Sequence, residues 1–329
     1  MSGPRVLLLG GTGVISAACA RRFASEGFEV TVLTRGRTNS RPLPDGVRRL
    51  TADVHDDASM HAALGAETFD AVVNFVGYAP ADITTDVARY GGRTGQYVFI
   101  STGSVYARPA PLLPIRESSA RRAGAFDYPA QKLRCEEELE RSYRYEGFPA
   151  TIVRAAHVYD ETVFPTLAGW TVIDRWRRGR PAIVHGDGTS LWNLTHAGDF
   201  ARGLAGIVAR RAAVGESVHI TSDELLTWDE IHFCLARAAG VEPAIVHRSS
   251  ADIGREIEWM GTVLQEDFRH SVIYDNSKIK QLVPGFSALV PFERGAREIL
   301  RWFDADSSRQ QVDAGLDAAF DRLAGDCDG

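Results

Sequence analysis

Cysteine is rare in this chain, and the few that occur are widely separated. The four cysteines form no CxxC pair and no paired spacing; they are Cys19, Cys135, Cys234 and Cys327. A disulfide framework needs cysteines at repeated or paired spacings, so none is expected here, and no metal site is expected either. We therefore predict reduced thiols, as in a cytoplasmic protein.

Long apolar runs and a net positive charge are also missing. No stretch approaches the ~20 apolar residues that a membrane span requires. The apolar run at residues 6–9 is too short for the hydrophobic region of a secretory signal. The formal net charge of -6 gives no basic footprint for nucleic acid or an anionic membrane. We expect a cytoplasmic protein that binds a small-molecule substrate and neither nucleic acid nor membranes.

Short apolar runs alternate with helical spacing through the first half of the sequence. The strand candidates are residues 6–9, 28–33, 70–76, 96–100 and 151–154. Helical spacing follows at residues 14–26 and from residue 129 to about 145. Strands that alternate with helices predict an α/β fold with a Rossmann-type, doubly wound parallel sheet.

The pattern loosens after about residue 160, where aromatic residues and short strands mix. We expect a dinucleotide-binding domain over residues 1–160, to which the chain returns at about 190–215. Residues 161–189 and 216–329 would then form a smaller C-terminal α/β lobe that binds the substrate.

A glycine-rich turn follows the first strand candidate and opens a helix, which is the context that a dinucleotide site requires. Gly10 would allow the tight turn, and Gly13 would let backbone N–H groups approach a pyrophosphate. Ser16 stands at the third position of the GxxGxxG spacing and is small enough to keep helix and strand close. The expected cofactor-binding residues of this turn are Gly10, Gly11, Thr12, Gly13, Val14 and Ile15.

The end of the second strand bears on the choice between NAD and NADP. A carboxylate there binds ribose hydroxyls, whereas an arginine accommodates a 2′-phosphate. The strand ends in Arg35 with no acid nearby, which favours NADP over NAD. The alternative is an exposed loop arginine. Asp53, followed by Val54, would either contact the adenine or cap the helix that follows.

Tyr128 and Lys132 are four residues apart, so they lie one above the other on a helix face. Lysine is scarce in this sequence, since Lys278 and Lys280 are the only others. A tyrosine is a poor base near neutral pH, but a nearby ammonium and a cationic nicotinamide would stabilise the phenolate and lower its pKa. The same lysine could hold the nicotinamide ribose. We predict a catalytic pair, assisted by a hydroxyl from the strand end at residues 101–106.

These motifs together resemble the extended short-chain dehydrogenases/reductases of the NAD-dependent epimerase/dehydratase family. The resemblance covers roughly residues 5–303. It rests on the glycine turn, Asp53, the run 101–106, and Tyr128 with Lys132. It implies that Thr102 is the catalytic hydroxyl residue. It also implies a homodimer.

Departures from the family pattern limit the chemistry that the resemblance implies. Gly103 and Ser104 replace the Asp and Glu of sugar-nucleotide dehydratases, which argues against 4,6-dehydration as the reaction. Trp192 stands where an arginine often grips a nucleotide diphosphate, and Asp160 replaces a usual glycine. Substrate contacts are expected from Ser104, His157, Arg175 and Trp192, although packing in the core or a solvated helix end would equally explain the last two.

The favoured activity is an epimerase-type oxidoreductase acting on a sugar or nucleotide sugar. Its rival is a one-way NADPH-dependent ketoreductase of a biosynthetic pathway, which uses the same residues. A non-catalytic relative that binds NAD(P) or associates with RNA is the alternative from another class.

Overall fold

The computed structural model describes residues 3–37, 41–122, 124 and 127–325, and Cys327 lies outside these ranges. The strands are β1 (Arg5–Leu9), β2 (Glu29–Thr34), β3 (Arg48–Thr51), β4 (Ala71–Asn74), β5 (Tyr97–Thr102), β6 (Ala150–Ala155), β7 (Val158–Tyr159), β8 (Ala182–His185), β9 (Leu191–Trp192), β10 (Thr195–His196), β11 (Ser217–Ile220), β12 (Leu226–Thr227) and β13 (Ile245–Arg248). The α-helices are α1 (Val14–Ser25), α2 (Asp57–Leu64), α3 (Pro80–Tyr90), α4 (Asp127–Glu146), α5 (Trp170–Arg177), α6 (Ala197–Ile207), α7 (Trp228–Ala239), α8 (Ser250–Glu256), α9 (Glu258–Val263), α10 (Ser277–Leu282), α11 (Phe292–Asp304) and α12 (Ala314–Gly325). A π-helical turn, Leu264–Phe268, follows α9.

Seven parallel strands form the central sheet in the order β11-β6-β5-β4-β1-β2-β3. The strand order reverses between β1 and β4, which is the point at which doubly wound sheets bind their ligands. The predicted Rossmann-type architecture is confirmed. Among the described residues, no helix is both long and apolar enough to cross a bilayer.

Both faces of the central sheet are covered, which explains why its strands read as continuous apolar runs. Alternate residues of β1 point to opposite layers: Val6 and Leu8 pack in one hydrophobic cluster, and Leu7 and Leu9 in another. The first layer holds α1 and α6, which pack against each other. The second holds α2, α3 and α4.

A third hydrophobic cluster forms the core of the C-terminal lobe, built mainly from α5, α7, α11 and α12. The lobe differs from the expected boundaries in one respect. Residues 217–220 form β11 and pair with β6 in the central sheet, although residues from 216 onward were assigned to the lobe. The physical reason is that all six residues of β6 are buried, so its outer edge needs a hydrogen-bonding partner.

Candidate active site

The glycine turn joins β1 to α1 at the switch point of the sheet. Gly10 has φ +85°, a conformation that disfavours any side chain. A Cβ added at Gly11 would lie 2.1 Å from Cγ1 of Val32, so helix and sheet approach closely here. The Gly13 N–H donates to Oγ of Ser16 at 3.0 Å, and Ser16 is buried. The turn therefore has the close packing and the helix N-terminus that a pyrophosphate group requires.

A cleft of about 890 Å³ runs from this turn toward the C-terminal lobe. All but one of the residues predicted for the site line it: Gly10, Gly11, Thr12, Gly13, Val14, Ile15, Arg35, Asp53, Val54, Thr102, Ser104, Tyr128, Lys132, His157 and Trp192. The cleft therefore joins the predicted cofactor residues to the predicted catalytic ones.

Arg175 is the exception, and its expected contact with substrate is wrong. Its side chain is 0% exposed inside the lobe and pairs with Asp317 at 2.6 Å and Asp321 at 3.0 Å. Its Nε donates to the carbonyl oxygen of Pro181. The arginine fastens α5 to α12, because a buried guanidinium needs carboxylate partners.

The residue that caps α2 decides between the two interpretations of Asp53. Asp56 caps that helix, since its side chain accepts hydrogen bonds from the N–H groups of Ala58 and Ser59. The capping role proposed for Asp53 is therefore wrong. Asp53 lines the cleft and accepts a hydrogen bond from the N–H of His55, while Arg35 is exposed at the cleft wall.

Tyr128 stands in the first turn of α4 with its ring facing the cleft. It is 40% exposed, yet its ring lies deep enough for burial to raise the pKa to about 12. The neighbouring Tyr78, whose ring centroid is 6.2 Å away, raises the pKa further, and a hydrogen bond with Thr102 opposes both. The expected lowering of this pKa by Lys132 together with a nicotinamide cation stays a prediction. Near neutral pH the phenol is protonated.

Lys132 lies one turn further along α4 and is 2% exposed. Its Nζ donates to the carbonyl oxygens of Gly77 at 2.9 Å and Ile100 at 2.8 Å. It also lies 4.9 Å from the ring centroid of Tyr78 and 4.4 Å from that of Phe99. Burial lowers the pKa of Lys132 to about 8. The lysine thus ties α4 to β5 and to the segment that follows β4.

Gly103, the residue after Thr102, packs closely against the lobe. A Cβ at Gly103 would lie 2.2 Å from the hydroxyl oxygen of Tyr274, so a larger residue at this position would require that tyrosine to move. The Ser104 hydroxyl donates to Oδ2 of Asp267 at 2.7 Å. Neither residue supplies a free acid to the cleft.

An aromatic wall closes the substrate end of the cleft. Trp192 and Phe268 pack with ring centroids 4.7 Å apart, and both line the cleft. The Trp192 Nε1–H donates to Nδ1 of His157 at 2.8 Å, which leaves Nε2 as the protonated nitrogen of that ring. Burial lowers the pKa of His157 to about 4, so the imidazole is neutral, and its backbone has an unusual φ of +23°.

Tyr78, Asp267 and Phe268 are among the residues of the cleft that were not predicted from the sequence. Tyr78 follows β4 at the switch point, so its position after a parallel strand could have indicated it. Asp267 and Phe268 lie on the π-helical turn of the lobe, and no local spacing relates them to the residues predicted to be catalytic.

Arg41 links the glycine turn to the segment that follows β7. Its Nε donates to Asp160 at 2.7 Å, and its Nη1 donates to the carbonyl oxygen of Thr12 at 3.2 Å. The side chain of Arg41 is 14% exposed, and that of Asp160 is 2% exposed. Asp160, which departs from the family pattern, therefore has a structural partner beside the glycine turn.

The sequence and fold also match known proteins. The model of the NAD dependent epimerase/dehydratase family matches residues 6–221. The 2'-dehydrokanamycin reductase of Streptomyces kanamyceticus is 27% identical over 293 residues, which cover 86% of this chain and 80% of that protein. The chloroplast stem-loop binding protein of 41 kDa b of Arabidopsis thaliana is 26% identical over 259 residues, which cover 75% of this chain and 66% of that protein.

Solved structures agree on the fold. The UDP-glucose 4-epimerase of Thermotoga maritima has a TM-score of 0.74 and 20% identity, and covers 92% of this chain and 99% of its own. The epimerase Mth375 of Methanothermobacter thermautotrophicus has a TM-score of 0.76 at 18% identity, with 94% of each chain covered. Since the family model matches more than half of the chain, the protein belongs to the NAD-dependent epimerase/dehydratase family.

Proposed function

We propose that this protein is an NADP-dependent oxidoreductase that interconverts a ketone and a secondary alcohol on a sugar-like substrate. The observation that carries the proposal is the convergence of Thr102, Tyr128 and Lys132 on one cleft that begins at a glycine-rich helix N-terminus. When bound, the nicotinamide cofactor supplies or accepts a hydride. The glycine turn would hold the pyrophosphate, Arg35 the 2′-phosphate and Lys132 the nicotinamide ribose.

Tyr128 would be the proton donor of the reduction. Near neutral pH its phenol is protonated, since its pKa is raised to about 12, and the proton would pass to a substrate carbonyl oxygen as the hydride adds to the carbon. Thr102, whose hydroxyl is hydrogen-bonded to Tyr128, would turn its single hydrogen to the same substrate oxygen and hold it in place. In the reverse direction the phenolate would accept the hydroxyl proton, with the buried charge of Lys132 stabilising it.

The cleft supports a substrate without a nucleotide diphosphate. Trp192, which is only 4% exposed, fills the position where the family often has an arginine for that group. The relative from Streptomyces kanamyceticus is named a 2'-dehydrokanamycin reductase, which favours net reduction as the activity. An epimerase that returns the hydride to the opposite face would use the same three side chains and is the second candidate.

The cofactor and its turnover test the proposal directly. We expect the purified protein to bind NADPH reversibly and to oxidise it with a panel of keto sugars and keto cyclitols. Replacing Tyr128 by Phe should leave NADPH binding intact and lower turnover by about 10²–10⁴-fold. Tyr145→Phe, at a 73% exposed position of the same helix, is the matched control.

Other outcomes identify the alternatives. Tightly retained NAD with no net reduction would favour the epimerase. The chloroplast relative is named for stem-loop binding, so binding of a stem-loop RNA without turnover would favour a non-catalytic role. The net charge of -6 weighs against that role.

A further inference from the structure

A smaller polar cavity of about 200 Å³ adjoins the substrate end of the cleft. Ser104 and Asp267 line both spaces, so the cavity and the cleft share part of their walls. Arg108, Arg122 and Arg269 line the cavity itself. Basic side chains of three separate segments therefore surround one space next to the substrate position.

Arg108 is buried in the wall of this cavity and is not fully paired. Its side chain is 6% exposed, its Nε donates to Asp267 at 2.9 Å, and its Nη2 donates to the carbonyl oxygen of Gly103 and to the hydroxyl of Tyr274. Its Nη1 is buried and has no hydrogen-bond partner among the described residues. A buried guanidinium N–H without an acceptor is unusual and indicates a position for a ligand acceptor.

The charges around the cavity leave it positive. Arg108 and Asp267 form an ion pair, so their charges offset each other. Arg122 and Arg269 are exposed at the rim, and neither forms an ion pair with any residue that the structure describes, while Glu266 contributes one carboxylate. His270 adds no charge near neutral pH, because burial and Arg269 lower its pKa. Among the described residues, two guanidinium groups without an ion-pair partner and one carboxylate thus line the cavity.

We propose that this side cavity binds an anionic group, a phosphate or a carboxylate, of the substrate. The proposal rests on the function proposed for the cleft, because the anion would anchor a substrate whose reacting carbon lies beside Tyr128. Arg108 Nη1 would donate to the anion from the wall, and Arg122 and Arg269 would attract it at the rim. The enzyme would then select substrates that carry a negative charge through this cavity. The position of Trp192, where relatives often bind a diphosphate with an arginine, would not contribute to that selection.

Inorganic phosphate is the probe for this site. Its affinity is measured by calorimetry with NADPH at saturation, so that the glycine turn is filled and cannot bind the phosphate. We expect wild-type protein to bind phosphate, and both Arg108→Lys and the double variant Arg122→Gln/Arg269→Gln to weaken binding by roughly tenfold. Arg294→Gln, which alters a 63% exposed arginine on α11, is the matched control and should bind as the wild type does.

Acetate in place of phosphate distinguishes the two sources of the anion, because preference for one of them identifies the group that the substrate carries. Absence of phosphate binding, or equal affinity in all the variants, would overturn the proposal. Tyr128→Phe should bind phosphate normally. If phosphate binding depends on Arg108 but no keto substrate is ever reduced, the function proposed for the cleft fails while the anion site stands.

Discussion

Replacing Lys132 by methionine should change the way in which stability depends on pH. The side chain is 2% exposed, and burial lowers its pKa from 10.5 to about 8. Between these two values the folded protein binds fewer protons at this site than the unfolded chain does. The stability of the wild type therefore rises with pH from about 8 to about 10.5, and the methionine variant lacks this contribution.

The size of the effect follows from the separation of the two pKa values. One pH unit of separation corresponds to about 1.4 kcal/mol, so the full separation amounts to about 3 kcal/mol. Part of it appears only above pH 10, because the unfolded lysine is still largely protonated there. Between pH 7 and pH 10 we expect the wild type to gain about 2.5 kcal/mol of unfolding free energy relative to Lys132→Met.

Urea unfolding followed by tryptophan fluorescence at pH 7, 8, 9 and 10 measures this difference. Lys280→Met removes an ammonium that is 45% exposed and serves as the control lysine. Parallel pH curves for the wild type and Lys132→Met would refute the reasoning. Such curves would mean that the hydrogen bonds to the carbonyl oxygens of Gly77 and Ile100 stabilise the buried ammonium as well as water does.

Three further substitutions test the cofactor half. Gly11→Ala should destabilise the protein by about 1–3 kcal/mol, since its Cβ would lie 2.1 Å from Val32, and Val32→Ala in the same chain should recover part of that loss in urea unfolding. Asp160→Asn should cost about 3 kcal/mol at pH 7 by leaving Arg41 unpaired. Burial raises the pKa of Asp160, but the hydrogen bond from Arg41 and its other partners hold that pKa below its usual value. The wild type should therefore lose the stability that this ion pair provides only as the pH falls below about 4. Arg35→Asp should lower the ratio of kcat/KM for NADPH to that for NADH by at least about tenfold, and an unchanged ratio would remove Arg35 from the 2′-phosphate site.

The parts of the fold that sequence could predict are those with a local hydrophobic signal. Strands β1, β2, β4 and β5 are short apolar runs because both faces of the sheet are covered. Strand β3, Arg48–Thr51, was missed because it lies at the sheet edge with mostly exposed residues, so its composition gives no strand signal. Strand β11 was missed because it is short and contains a buried histidine, His219, which interrupts the apolar run.

The same distinction holds for the site. The glycine turn and the pair of Tyr128 and Lys132 could be found because their spacing is local, within one turn or one helix face. Asp267 reaches Ser104 across 163 residues of sequence, and only tertiary packing brings them together. Arg175 was misplaced because charge alone does not distinguish an arginine that faces a ligand from one that is buried against Asp317.

Strand β11 comes late in the sequence but completes the central sheet, which matters for any attempt to express the first half of the chain by itself. A fragment that stops at residue 160 would contain every predicted catalytic side chain, but it would leave residues 152–155 of β6 without their outer neighbour. That strand has no exposed residue among its six, so the bare edge would offer unpaired amides beside apolar side chains to any other copy. The catalytic half is therefore expected to aggregate when expressed by itself, and the lobe-forming half of the sequence is needed to keep it in solution.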